Sequence, residues 1–388
     1  MSNSVISLLF CLILSGCFAG ADEHTEPTVA ERIPAAKEQN PNKSNKDRSG
    51  KIRAAADSFY THDLIPAGFN GGMLVAKNGS IVFEAYHGKE RIDKPDLMDS
   101  SSAIHLASVS KTFTAMAILK LAEEGKLSLN DEAALHLKGF PYPGVTIKNM
   151  LNHRSGLPNY VHFMEDPGTG MSRPVSNQDI LQYMSRNKAK LSITRPDTHF
   201  SYSNTNYALL ALIIEKVSGK TYAQYLKETF FRPLGMDNTF VFSTDKADYV
   251  IPSYDWRNRQ IAFSFLDAVY GDKNIYSTPR DLLKWDQALY TDQLFRKETL
   301  DMAFAGYSFE KPGKRNYGLG WRLYEFPGGK KVIYHNGWWH GNNVVFSRLP
   351  QDSATIIVMG NKFTRRIYEA RKIYTAFEGY GRADDGDE

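Results

Sequence analysis

Cysteine is almost missing from this chain. Of 388 residues only Cys11 and Cys17 carry a thiol, and both fall at the very start. The remainder can hold neither a disulfide framework nor a thiolate metal site. The N-terminal apolar run, Val5 to Leu14, falls short of the roughly 20 residues a membrane-spanning helix needs. Charge of one sign is not in excess, with 47 Lys and Arg against 43 Asp and Glu and a formal net charge of +4. No long basic block occurs, so nucleic acid is not an expected partner. A His-Glu-x-x-His pair is absent, and His335 and His340 lack an acidic partner at zinc-site spacing, so no metal is expected. Ser218-Gly219-Lys220-Thr221 ends like a phosphate-binding loop, but Ile214 stands where that loop requires glycine. No Gly-x-Ser-x-Gly elbow is present, which argues against an α/β-hydrolase.

What the chain does have is apolar mass: 42% hydrophobic and 12% aromatic residues, enough for a large core. Residues 1–21 read as a secretory signal. Leu14-Ser15-Gly16-Cys17 is a lipobox pattern that would make Cys17 a lipidated mature N-terminus, while Ala19-Gly20-Ala21 also satisfies ordinary signal cleavage. Residues 22–50 are polar and nearly free of large apolar side chains, the composition of a flexible tether. The folded domain is expected over 51–388. It begins with two β-rich runs in 71–88 around Asn78-Gly79, a hairpin signal. A helix is expected from about Ser108 to Gly125, and a buried helix within 206–219. Four strands follow at 317–326, 330–337, 342–349 and 354–361, then a closing helix at 363–379. Strands at both ends with helices between them predict an α+β fold, an antiparallel sheet closed by the N- and C-terminal segments.

Ser-x-x-Lys occurs four times, at Ser108/Lys111, Ser185/Lys188, Ser243/Lys246 and Ser308/Lys311. Three of these sit in polar surroundings, where solvated surface is the ordinary reading. The first opens an apolar helix, and residues three apart share a helix face, so the Ser108 hydroxyl and Lys111 ammonium can touch. Downstream lie Tyr202-Ser203-Asn204, before the buried helix, and His335-Asn336-Gly337, at the end of an expected strand.

With Ser108/Lys111, Tyr202-x-Asn204 and His335-x-Gly337 in that order, the chain resembles the serine β-lactamase and penicillin-binding-protein superfamily, in its class C and D-alanyl-D-alanine carboxypeptidase-like branch. LNHRSGLPNY (151–160), IYSTPRDLLKWDQAL (275–289) and YGLGW (317–321) extend the resemblance over roughly 55–380. It implies a β-lactamase/transpeptidase-like fold with an inserted, mostly helical lobe, and a serine hydrolase without metal or organic cofactor. Ser108 would be the nucleophile, with Lys111 and Tyr202 sharing its proton. Asn204, His335 and Gly337 would bind substrate, and the backbone N–H groups of Ser108 and Trp338 would form the oxyanion hole. The substrate would be a small molecule or peptide bearing an amide or ester, and Cys17 would tether the protein to a bacterial membrane. A dedicated β-lactamase and a non-catalytic sensor are the alternatives.

His335 departs from the lysine that relatives acting on penicillins commonly keep. A histidine, with a reference pKa of about 6.5, is mostly neutral at pH 7. His335→Lys is therefore expected to improve capture of carboxylate-bearing substrates. Trp338 and Trp339 stand between a core role and a cleft-wall role, and loops 159–175 and 250–275 are expected to shape the pocket.

Overall fold

Asn78 and Gly79 both adopt left-handed backbone, φ 51° and 74°, and so close a two-residue turn between β1 (Gly71–Lys77) and β2 (Ser80–His87). The computed structural model describes residues 43–165, 173–311 and 313–381. The expected signal segment 1–21, with Cys17, and tether residues 22–42 lie outside these. Residues 43–50 of the expected tether instead begin helix α1 (Lys43–Ser58). Its turns further along carry Ile52 and Ala56, which are fully buried, and that packing holds a helix that composition alone does not announce.

Five C-terminal strands complete the sheet: β3 (Arg315–Tyr317), β4 (Arg322–Glu325), β5 (Lys331–Trp339), β6 (Asn342–Leu349) and β7 (Ala354–Gly360). The order is β2-β1-β7-β6-β5-β4-β3 and every pairing is antiparallel. The first and last segments of the domain thus meet at β1 and β7. One strand was expected over 317–326 and two are found, joined by a turn in which Gly318 N–H donates to the Trp321 carbonyl. Gly320 has φ +86°, and a Cβ there would lie 2.2 Å from that of Ala115, so glycine lets this turn press against the helical lobe.

Successive residues of β1 and β7 serve opposite cores. Met73, Val75, Ile356 and Val358 pack under α1 and the closing segment, and Leu74, Ala76, Ile357 and Met359 pack under the helical lobe. Strands β6 and β7 are buried along their whole lengths, and β7 accordingly reads as a near-continuous apolar run. The closing segment, Arg365–Ala376, is wound as 3-10 turns, and Ile367, Ala370 and Ile373 recur at that three-residue period on the sheet.

The helical lobe contains α2 (Ser110–Glu123), α3 (Asn177–Arg186), α4 (Asn204–Ser218) and α5 (Pro279–Ala288). Gly125 (φ +70°) ends α2, with Lys126 N–H donating to the Leu121 carbonyl, as expected of a glycine C-cap. A small three-stranded sheet aligns Ile104–His105 with Ile275–Ser277, which brings residues 272–274 beside the entry to α2. Among the described residues no helix is long and apolar enough to cross a membrane.

Candidate active site

Helix α2 is buried on nearly every side, from Ser110 through Leu119, so Lys111 has no route to water along an apolar stem. Lys111 is 0% exposed. Its ammonium is satisfied within the protein, donating to Ser108 Oγ at 3.1 Å, Asn204 Oδ1 at 2.7 Å and the Asp272 main-chain carbonyl at 2.8 Å. The sequence places Ser108 at the start of the helix, but it is not the first residue of α2. It sits in a 3-10 turn, Ala107–Val109, that leads into α2. Ala107 before it has φ +48°, an uncommon backbone for alanine. That conformation is held by Leu106 N–H donating to the Ile275 carbonyl and Ala107 N–H to His105 Nδ1.

Asn204 begins α4, and its own N–H donates to Asn159 Oδ1 at 3.3 Å. Tyr202, just ahead of this helix, lies over the His153 ring with centroids 4.2 Å apart, and its ring centre is 5.1 Å from Lys111 Nζ. His153 accepts the Ser203 N–H at Nδ1, so its proton sits on Nε2. Burial, reinforced by the Lys111 and Arg322 charges, lowers the His153 pKa well below the ordinary value and keeps the ring neutral.

Gly337 faces the serine turn across a narrow gap, where a Cβ would stand 2.3 Å from the Leu106 carbonyl oxygen. Its lack of a side chain lets the end of β5 reach the turn that carries Ser108, bringing the main chain of Trp338 with it. Trp338 is 64% exposed and lies against Phe363, while Trp339 is half-buried with its indole N–H donating to Asp267. The two tryptophans thus divide, Trp338 at the surface and Trp339 tied inward.

His335 is where the structure corrects the sequence expectation. It was expected to bind substrate, but it is 0% exposed and both ring nitrogens are used inside the protein. Nδ1 lies 2.7 Å from the Asn336 carbonyl, which can only accept, so Nδ1 carries the proton and Nε2 accepts from Tyr317 Oη at 3.2 Å. Burial, then the Arg322 and Lys111 charges, hold its pKa well below the usual histidine range. A neutral, enclosed imidazole holds Tyr317 and its own strand and has no charge to offer a substrate carboxylate. The expected benefit of His335→Lys is likewise reversed, because that ammonium would be buried beside two existing cations.

A permanent cation does stand nearby. Arg322 on β4 is half-buried, and its guanidinium carbon lies 5.4 Å from the Tyr202 ring centre. Sequence reasoning passed over it, over His153 and over Tyr160, Asp272 and Lys273. His153 and Tyr160 lie in LNHRSGLPNY, and Arg322 directly follows YGLGW, so the stretches were noticed while these side chains were not. The Asp272-Lys273 pair carries no local signal that separates it from a solvated ion pair.

Residues 65–378 match the family model described as Beta-lactamase. Penicillin-binding protein 4* of Bacillus subtilis (strain 168) is 34% identical over 319 residues, 78% of this chain and 70% of that protein. Among solved structures, a class C beta-lactamase superposes with a TM-score of 0.70 at 18% identity, covering 89% of this chain and 100% of the other. A D-stereospecific amidohydrolase from Streptomyces sp. gives a TM-score of 0.67 at 21% identity, over 86% and 99% of the two chains. With that breadth of sequence match, and with the fold common to both structures, the chain belongs to the beta-lactamase family, within the serine β-lactamase and penicillin-binding-protein superfamily.

Proposed function

We propose that the protein is an exported serine hydrolase that forms an acyl-Ser108 intermediate from an amide or ester, with carboxylate-bearing D-amino-acid peptides as the substrate class. The observation that carries this reading is the fully enclosed Lys111 ammonium bridging Ser108 Oγ, Asn204 Oδ1 and the Asp272 carbonyl. A serine hydroxyl needs a neighbour that takes its proton, and no such use explains a solvated Ser-Lys pair.

In the neutral form, Lys111 takes the Ser108 proton directly or shares it with Tyr202 as Oγ bonds to the carbonyl carbon. The carbonyl π pair moves onto oxygen, where the Ser108 and Trp338 N–H groups would stabilise it. Collapse of the tetrahedral intermediate expels the amine or alcohol, which leaves with the proton. Water then repeats the sequence on the acyl-serine and frees the acid. Arg322, beside the Tyr202 ring, would supply the fixed positive charge that His335 does not. The fold shared with a D-stereospecific amidohydrolase is the ground for proposing a substrate of D configuration.

The lipobox Leu14-Ser15-Gly16-Cys17 supports export with anchoring through Cys17. A dedicated β-lactamase uses the same acylation and differs in rapid deacylation, whereas a sensor module would acylate without turnover. The test is intact mass over time after adding a penicillin to the wild type and to Ser108→Ala. A Ser108-dependent adduct is expected, and its lifetime separates these readings. If the wild type forms no adduct and hydrolyses no D-amino-acid amide or ester, the proposal fails.

A further inference from the structure

Beside Lys111 lies a second enclosed lysine for which the acylation chemistry above has no use. Lys273 is 3% exposed, Asp272 2% and Tyr160 0%. Lys273 Nζ donates to Tyr160 Oη, Tyr160 Oη donates to Asp272 Oδ2 at 2.8 Å, and the ammonium stands 3.5 Å from that same carboxylate oxygen. It also lies over the Trp339 ring, 4.6 Å from its centre. The two lysines therefore grip one residue from two sides. Lys111 holds the main-chain carbonyl of Asp272 and Lys273 holds its carboxylate.

Each element of this cluster touches the proposed active site. Tyr160 follows Asn159, whose side chain holds the Asn204 N–H, and its own N–H donates to Thr205 Oγ1 at 2.7 Å. Trp339 ends the strand that carries Gly337. A buried ammonium is costly, and one placed here needs its carboxylate partner and a reason to stay. Burial lowers the proton affinity of Lys273, as does the Lys111 charge, while Asp272 and Asp267 oppose them.

We propose that Tyr160, Asp272 and Lys273 are positioning residues that hold the Asp272 carbonyl against Lys111, and that the Lys273 charge biases Lys111 toward its neutral, proton-accepting form. This rests on the reading of Lys111 as a proton acceptor for Ser108. With Lys273 present, the Asp272 carboxylate is compensated and adds little attraction for a proton on Lys111. Without it, that carboxylate faces Lys111 alone and favours the ammonium. The other groups around Lys111 are Tyr202, Tyr207, neutral His153 and neutral His335, with Arg322 beyond Tyr202. Around Lys273, Asp267 is itself paired with His340 at 3.0 Å.

The experiment measures the titration midpoint of Lys111 directly, by NMR of protein carrying 13C-labelled lysine side chains, with the resonance assigned by Lys111→Arg. The pH profile of Ser108 acylation is recorded alongside. Lys273→Met is expected to raise the Lys111 midpoint, and the acid limb of acylation, by about one pH unit, while Lys273→Arg leaves both where they are. A midpoint unmoved in Lys273→Met, or moved equally in both variants, overturns the proposal. If Lys273→Met does not fold, Asp272→Asn must lower the midpoint, and no change or a rise overturns it. The NMR midpoint does not depend on turnover. A protein that never acylates refutes the proposed function, and the coupling between the two lysines is then still decided.

Discussion

The Arg322 guanidinium carbon lies 5.4 Å from the centre of the Tyr202 ring, on the strand that pairs with the one bearing His335. A permanently charged group over an aromatic face holds a fixed positive charge beside Tyr202. Arg322→Ala should lower kcat/KM for carboxylate-bearing substrates by about 10- to 100-fold, the worth of a charge-assisted hydrogen bond. Uncharged esters should lose far less. Equal losses on both substrate types, measured by steady-state kinetics, would mean that Arg322 only supports Tyr202.

Gly337 tests the oxyanion site. A methyl group there would overlap the Leu106 carbonyl at 2.3 Å and push β5 away from the serine turn. Gly337→Ala should cut the acylation rate by about a hundredfold or more, in line with loss of one oxyanion donor. The circular dichroism spectrum should remain that of the wild type.

His335→Lys should destabilise the protein and not improve it. An uncompensated ammonium at a fully enclosed position beside Arg322 and Lys111 costs about 3–5 kcal/mol. Chemical denaturation would register this as a lower midpoint, and unchanged stability would show that water reaches position 335.

Stability should fall as the solution is acidified below the ordinary histidine pKa of about 6.5. Burial holds His105 down to about 4 and keeps His153 and His335 well below their ordinary value, so all three are neutral in the folded state. Between those folded values and 6.5, the unfolded chain binds protons that the folded chain does not. Stability is thus fully present above 6.5 and is lost on going down, at about 1.4 kcal/mol per pH unit for each histidine. Thermal melts across pH 4.5–7.5 measure the slope, and His105→Asn should remove one proton's share of it.

Cys17→Ser should move the protein from the membrane fraction to the soluble fraction of a host that processes lipoproteins. Persistent membrane association of that variant would dispose of the lipobox reading.

Features that depend on a few neighbouring residues could be read from the sequence. The Asn78-Gly79 turn requires left-handed backbone at two positions, and few residue pairs accept it. The apolar run of β7 and the glycine cap at Gly125 follow from similarly local rules. The order of Ser108/Lys111, Tyr202/Asn204 and His335/Gly337 was equally plain, and so was the superfamily they indicate. What the tertiary structure decided was which of these groups are charged and which can be reached. His335 is neutral because the fold encloses it behind Tyr317 and beside Arg322. Lys273 resembles any surface lysine until Tyr160 and Trp339, from two distant parts of the chain, close around it and its neighbour Asp272. Turn and strand preferences act over a few residues. Desolvation and charge pairing depend on everything within several ångströms, and only the folded chain determines what that is.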